Sequence, residues 1–494
     1  MNHVLPRRRV LGLGASCVTA AALRVFAGPV ARAAAAAAPA GAGSPAAQPS
    51  EQTLLVARRE VAPAGQRLQG IVANQTFPSY ELRAREGELL RVTVENELAE
   101  PTAVHFHGVV VPNGMDGVAG VTQSPIEPRT KFVYEFPLHE AGTYFYESTW
   151  KLQRQLGLVG ALVIEARDER HAVDHDEVLL LSDWTNADPA RIVPDLRAGV
   201  VKDPSAADPE RLVNPLPDGK PFPIDVRYNA YLLNGRTHRD AWTKEVKPGQ
   251  RVRLRIVNAS AASFFRFQVE GHAMQVIAAD GRAVEPLEVD DLVLATGERY
   301  DVLVTVAGEG SYSLRAAALG APGGAVGVLY TPGVRPVVST RPPRWGKRAL
   351  SYGQLRATTD TAFDVAKSES VRLTIAGDQR TFVWSVDGYV HPGEFTVSPA
   401  ADAAPLVLPR GARIDLEIVN RTDLWQPVHL HGYRFRLLSE AKAAARAPWK
   451  DTVAVAPDAS RRLELLADQP GRWLATSSNL YRAQSGLGRL LSVG

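Results

Sequence analysis

"EGELLRVTVEN", residues 86–96, reads as a glycine turn that opens a strand. Leu90, Val92 and Val94 alternate with Arg91, Thr93 and Glu95 until the run stops at Asn96. Successive strand side chains point to opposite faces, so this pattern makes one apolar and one polar face. The pattern returns as "PGQRVRLRIVN" at 248–258 and "RGARIDLEIVN" at 410–420. Gly87, Gly249 and Gly411 stand 162 residues apart, and so do Asn96, Asn258 and Asn420. A second marker follows each one: "GTYFY" with Gly142 and Tyr144, "GSYSL" with Gly310 and Tyr312, "GRWLA" with Gly471 and Trp473. Two independent markers at a similar period mean three copies of one β-domain. Alternating strands with aromatic-anchored turns fit a small sandwich or barrel.

Bulk composition agrees. The 494 residues suffice for several domains of about 100–200 residues each. Forty Gly, 35 Pro and recurrent Val-rich runs, with few helical patterns, point to an all-β chain of short strands. The domains are expected at residues 51–170, 171–330 and 365–494. The Pro/Arg-rich stretch "TPGVRPVVSTRPPRWGKR" begins a linker over 331–364. Net charge is +3 from 56 basic and 53 acidic residues, which gives no argument for a nucleic-acid partner. Arg7, Arg8 and Arg9, an Ala-rich run and "ARA" at 31–33 resemble a twin-arginine export signal over residues 1–33. Arg24 interrupts the apolar run, so no membrane span is expected. Residues 34–50, rich in Ala, Pro and Ser, read as a flexible leader. Export by this route places the mature protein in the periplasm, where a monomer is expected. Lipidation of Cys17 is left open.

Cys17 is the chain's one cysteine. Beyond it there is no thiol for a disulfide, a thiolate metal site or a nucleophile. Histidine is distributed differently. "HFHG" at 105–108 and "HLHG" at 429–432 lie 324 residues apart, twice the repeat period. They occupy the same place in copies one and three; the register puts Phe267 and Val269 there in copy two. Each His-x-His pair presents two imidazoles from one strand face. If copies one and three pack together, His105, His107, His429 and His431 converge on a site suited to copper or zinc. The alternative is four separate structural histidines.

With these motifs in hand, the chain resembles the three-cupredoxin-domain multicopper oxidases, especially their CopA-type copper-resistance branch. "HFHG", "MDGVAGVTQSPIEP", "LLLSDWTNADP", "YLLNGRT" and "QPVHLHG" carry the resemblance over nearly the whole chain. It implies three Greek-key cupredoxin-like sandwich or barrel domains and a copper cofactor. It also implies ligand positions that other residues fill here. Glu147 and Thr149 stand for one His-x-His pair. Gln426 stands for a further His, and Thr476, Ser477, Ser478, Arg482 and Leu487 for the final His-Cys-His, His and Met. Of the family's His ligands, His105, His107, His429 and His431 remain. The family's mononuclear position uses the first His of each pair, so His105 and His429 are left to hold one ion. Asp116 matches an acidic residue that the family places near this metal; on spacing alone it reads equally as a turn-capping Asp before Gly117. Glu147 is either a further oxygen ligand or a surface carboxylate.

The leading expectation is an exported, copper-handling relative of the multicopper oxidases without blue-copper or coupled-copper sites. Competing expectations are a metal-free periplasmic scaffold that works through a protein partner, such as a cell-division factor of this fold, and a mononuclear copper oxidoreductase. Whether the chain is an enzyme stays open. Elsewhere, His171 and His175 of "HAVDHD" fall in a solvated junction, His272 reads as a packed structural His, and His391 as exposed. Ser477 and Ser478 read as filler of a vacated ligand cavity.

Overall fold

A computed structural model describes residues 50–200, 214–339, 342–396, 404–438 and 444–494. The expected export signal, the leader up to residue 49 and Cys17 lie outside the described residues. Each repeat is a sandwich of two sheets. The first sandwich orders Leu68–Ala73, Ser50–Val61, Leu89–Asn96 and Lys131–Pro137 in one sheet. Its other sheet orders Leu82–Arg85, Val159–Glu165, Gly142–Ser148 and Val104–His107. The second and third sandwiches each pair a six-stranded sheet with a five-stranded one. The all-β expectation holds.

The three repeat strands take the same place in their sandwiches. Leu89–Asn96 runs parallel to Ser50–Val61 and antiparallel to Lys131–Pro137. Arg251–Asn258 has the same two kinds of neighbour, as does Arg413–Asn420. Gly87, Gly249 and Gly411 enter these strands at φ of 85°, 81° and 75°, a region that penalises any Cβ. The closing asparagines are clamps. Asn96 Nδ2 donates to the carbonyls of Glu100 and Ile126, Asn258 to those of Ser263 and Leu294, and Asn420 to those of Leu424 and Val455. Each Oδ1 accepts the amide two residues on. An amide side chain supplies both donors and an acceptor to a turn that would otherwise bury unpaired backbone groups.

Alternation places Leu90, Val92 and Val94 in a core with Phe106, Tyr134, Phe136 and Leu162. Full burial of such side chains stabilises by roughly 1.5–3 kcal/mol each. In copy two the polar face is buried as well, because the first sandwich covers it: Phe145, Val159, Ala161 and Val163 pack on Val178, Leu180 and Val257. Arg255 on that face pairs with Asp176 at 2.6 Å and donates to Thr143 Oγ1 of the first sandwich at 2.9 Å. Arg253 pairs with Asp301 at 2.6 Å. Buried charges require such partners.

One register expectation is corrected. Phe265, Phe267 and Val269 point into the second core, whereas His105 and His107 point out of the first, where Val104 and Phe106 are the core residues. The outward positions in copy two are therefore Arg266 and Gln268. Strand pairing aligns Gln268 with His105 and His429, opposite Arg315, Glu147 and Thr476, so copy two has one residue more after Asn258, and a shift of one residue exchanges the two faces of a strand.

Candidate metal centre

His105 and His107 lie on strand Val104–His107 of the first sandwich; His429 lies on Gln426–Leu430 of the third, and His431 directly follows it. The alternation that sends Val104, Phe106, Val428 and Leu430 into their cores sends all four imidazoles outward, toward each other. The rings converge: His105 and His431 have centroids 4.1 Å apart, His107 and His429 3.8 Å, His105 and His429 5.4 Å. All four are buried. Ligand atoms of His105, His107 and His429 lie within 4.8 Å of one another, as do those of His105, Asp116 and His431.

Hydrogen bonds fix the tautomers of two rings. His105 Nδ1 meets the Asp116 carbonyl oxygen at 2.7 Å, and His429 Nδ1 meets that of Asp451 at 3.0 Å. A carbonyl only accepts, so Nδ1 carries the proton and the lone pair falls on Nε2. Both Nε2 atoms are buried without a partner. Anchoring one ring nitrogen on a carbonyl while freeing the other is how a metal-ligating His is oriented. His107 differs. Its Nδ1 faces Glu147 Oε1 at 3.2 Å and its Nε2 faces Thr452 Oγ1 at 2.9 Å, so both nitrogens are engaged.

Asp116 is not a turn cap. Its carboxylate is fully buried, with Oδ1 3.3 Å from His105 Nδ1 and Oδ2 3.2 Å from His431 Nδ1. The turn that presents it needs glycine next: a Cβ on Gly117 would lie 1.8 Å from the Val104 carbonyl oxygen. Burial alone would raise the Asp116 carboxyl, but His431 and His105 outweigh it and hold it below the usual carboxylate range. Burial also works against the charge of His105, and Asp116 outweighs it, so this ring is drawn toward its protonated form. Burial, reinforced by His105, pushes His431 down, and burial reinforced by His107 pushes His429 well down. Asp116 thus favours a proton on His105, while burial favours the neutral forms of His429 and His431. A metal at His105 would displace that proton.

Glu147 is not a surface carboxylate. It is buried and ion-paired with the buried Arg154. Burial would raise its pKa, and Arg154 followed by His107 lowers it instead. The remaining positions that the resemblance marked also come together. Arg482 donates to Gln426 Oε1 at 3.0 Å and pairs with Asp225 at 2.6 Å. The Ser477 amide meets the Leu487 carbonyl at 3.2 Å, and Ser477 Oγ accepts the Asn479 amide at 3.1 Å. Ser477 is therefore a turn anchor rather than filler, while Ser478 Oγ is buried without a partner.

Four residues around the cluster escaped the sequence reading: Asp451, Thr452, Arg299 and Arg154. Asp451 is held by a fork of two 2.7 Å bonds from the fully buried Arg299 of the second sandwich. Burial would raise the Asp451 carboxyl, and Arg299 brings it well below its ordinary value. No local spacing marks these residues, because the second sandwich supplies one partner and the third the other. His175 and His272 stay apart from the cluster, whereas His391 lies near His431. His175 opens strand His175–Trp184, half-buried and bonded to Gln250, so it belongs to the second sandwich rather than to a solvated junction. His272 has both nitrogens bonded, to Glu270 and Ala307, as a structural His should. His391 is half-buried rather than exposed, with Nδ1 sealed and unpartnered.

Three linked β-sandwiches with a histidine cluster between the first and third define a three-domain cupredoxin architecture. Family models described as multicopper oxidase match residues 55–169, 175–329 and 364–494. The chain belongs to the multicopper oxidase family, in its CopA-type branch. It is 33% identical to the multicopper oxidase MmcO of Mycobacterium tuberculosis, over 83% of this chain and 81% of that one. It is 27% identical to a copper resistance protein A homolog of Pseudomonas syringae, over 90% and 92%. Among solved structures, a laccase from Botrytis aclada superposes with a TM-score of 0.74 at 23% identity, over 91% of this chain and 88% of that one. A multi-copper oxidase from Pseudomonas thermotolerans gives 0.69 at 24% identity, over 91% and 100%. Among the described residues, no helix is long and apolar enough to cross a membrane.

Proposed function

We propose that this protein is an exported copper-binding member of the family that holds one ion between its first and third domains and serves copper handling or resistance in the periplasm. The observation that carries the reading is the pair of buried, unpartnered Nε2 atoms on His105 and His429. Neutral imidazoles with Nδ1 anchored on carbonyls are a fitting donor set for copper. His431 flanks this pair, and Asp116 stands behind His105 as a carboxylate able to take and return its proton. Copper bound there supplies Lewis-acid and one-electron chemistry. A blue-copper relay needs a thiolate, and no Cys follows Cys17. Any reductant would have to reach the ion directly. The export signal and the copper-resistance relatives support the compartment and the role.

A metal-free scaffold is the second reading. Its support is the Gln426–Arg482–Asp225 network, which pairs off positions where the resemblance expects copper ligands. Metal analysis separates the two. Protein purified from the periplasm and loaded with copper(II) sulfate is expected to retain about one copper, with a type 2 paramagnetic resonance spectrum and no strong absorbance near about 600 nm. His105→Ala with His429→Ala should abolish retention. No copper in the loaded wild type refutes the binding reading, and a strong band near about 600 nm refutes the cysteine argument.

A further inference from the structure

Arg154 sits in the turn that joins strand Gly142–Ser148 to strand Val159–Glu165, with its side chain sealed from solvent. Its guanidinium touches all three sandwiches. It pairs with Glu147 of the first, donates to the Ala261 carbonyl of the second at 3.4 Å, and to the Ser478 carbonyl of the third at 2.6 Å. Glu147 and Ser478 are two positions where the resemblance places imidazoles of the coupled copper pair. His107, a third, spends Nδ1 on Glu147 and Nε2 on Thr452. A coupled pair does not fit these residues.

We infer that Arg154 is a built-in cation that takes the place of the coupled copper pair and ties the three domains together there without metal. The choice of side chain matters. A buried lysine or histidine can shed its proton and yield to a metal ion, but a guanidinium keeps its charge at any ordinary pH. Its planar fork of donors reaches a carboxylate and two carbonyls at once, as a cation of several ligands would. A metal entering beside Glu147 would have to expel a paired charge from a dry interface, which strands Glu147 or drags it out. Glu147 is acidic for the same reason: two neutral imidazoles leave a fixed cation unbalanced, while one carboxylate neutralises it.

The inference rests on the proposed copper reading only for the expected count of ions, and the test keeps the two apart. Full-length protein is loaded with excess copper(II) sulfate, desalted, and its metal counted. Wild type should hold no more than one ion. Arg154→Ala frees Glu147 and His107 and should take one ion more than wild type, and adding Glu147→Gln should remove that extra ion. A wild type with none, and one in Arg154→Ala, supports Arg154 while refuting copper at His105 and His429. Two or more ions in wild type, or no gain in folded Arg154→Ala, overturns the inference. If Arg154→Ala does not fold, copper-soaked crystals of unaltered protein decide. Anomalous density between Glu147 and His107 overturns the proposal, and its absence there at a saturating soak upholds it.

Discussion

Asn420→Ala tests whether the repeated asparagine is the clamp that the hydrogen bonds describe. The side chain is fully buried. It donates to Leu424 O at 2.7 Å, Val455 O at 3.1 Å and Ala456 O at 3.0 Å, and accepts from Thr422 N at 3.0 Å and Thr422 Oγ1 at 2.7 Å. Five bonds, three of them sharing two N–H donors, at the lower part of about 0.5–1.5 kcal/mol net each give a loss of about 3 kcal/mol. The shift in melting temperature then depends on what melts. With an unfolding entropy of about 2.1 cal/mol/K per residue, about 130 residues of an independent third domain would lose about 11 °C. If all three sandwiches melt as one body of about 450 residues, the same loss is about 3 °C. The charged interface residues Arg154, Arg255 and Arg299 favour the single transition. Differential scanning calorimetry of the variant reads both the size of the shift and the number of transitions. Asn420→Asp should be worse than alanine, because an oxygen replaces the donor that faces three carbonyls. A shift below about 1 °C for alanine, or a stabilising aspartate, would show that the clamp reasoning is wrong.

Gly117→Ala forces a Cβ to within 1.8 Å of the Val104 carbonyl at a φ of 82°. It should weaken copper retention as well as stability, by more than about 2 kcal/mol, because it separates Asp116 from His105; a variant that melts and binds like wild type contradicts the geometry. His391 provides the pH test. Burial, with His431 nearby, lowers it to about 4 in the folded chain from an unfolded value of 6.5. The folded state then binds fewer protons, so the contribution is fully present above pH 6.5 and is lost as pH falls toward about 4. The full shift corresponds to about 3 kcal/mol, and part-exposure brings it nearer about 2. His391→Leu should therefore lose less stability than wild type between pH 7 and 4.5, read from denaturant midpoints. Equal slopes would mean that His391 titrates normally.

The repeat was legible because one sandwich core imposes a period-two pattern, and the same glycine turn and asparagine clamp recur wherever that sandwich is built. The histidine pairs were legible for the same reason, since alternation alone decides which side chains leave the core. What surrounds them was not. Glu147 reads as a strand-end carboxylate until Arg154 is seen closing over it from a turn. Asp451 has no local signature, because Arg299 reaches it from another domain. Copy two misled for a local reason: one residue more after Asn258 exchanges the faces of its strand, which no period of 162 reveals. His391 follows a turn in sequence, yet the strand Gly488–Val493 closes on it, with a Cβ at Gly488 falling 3.0 Å from its ring.

The distribution of paired and unpaired polar atoms bears on whether the histidine cluster still has a ligand. A buried polar group without a partner is costly, and the chain avoids that cost at most of the positions the resemblance marks. Gln426 and Arg482 bond each other, Glu147 takes Arg154, and His107 engages both nitrogens. If the whole interface were only structural, the same pressure would act on His105, His429 and Asp116. At His105 and His429 it has not acted, and among the marked positions Ser478 Oγ is left unpaired as well. The two Nε2 atoms lie sealed without a hydrogen-bond partner, and the Asp116 oxygens meet only the Nδ1 atoms of His105 and His431, at 3.3 and 3.2 Å. Pairing Asp116 with the cationic form of His105 relieves part of the charge, but it leaves the lone pair of His429 Nε2 with nothing to meet. A single ion between His105 and His429 satisfies both lone pairs at once, and that is why the unpaired atoms, more than the motif that contains them, support retained metal binding.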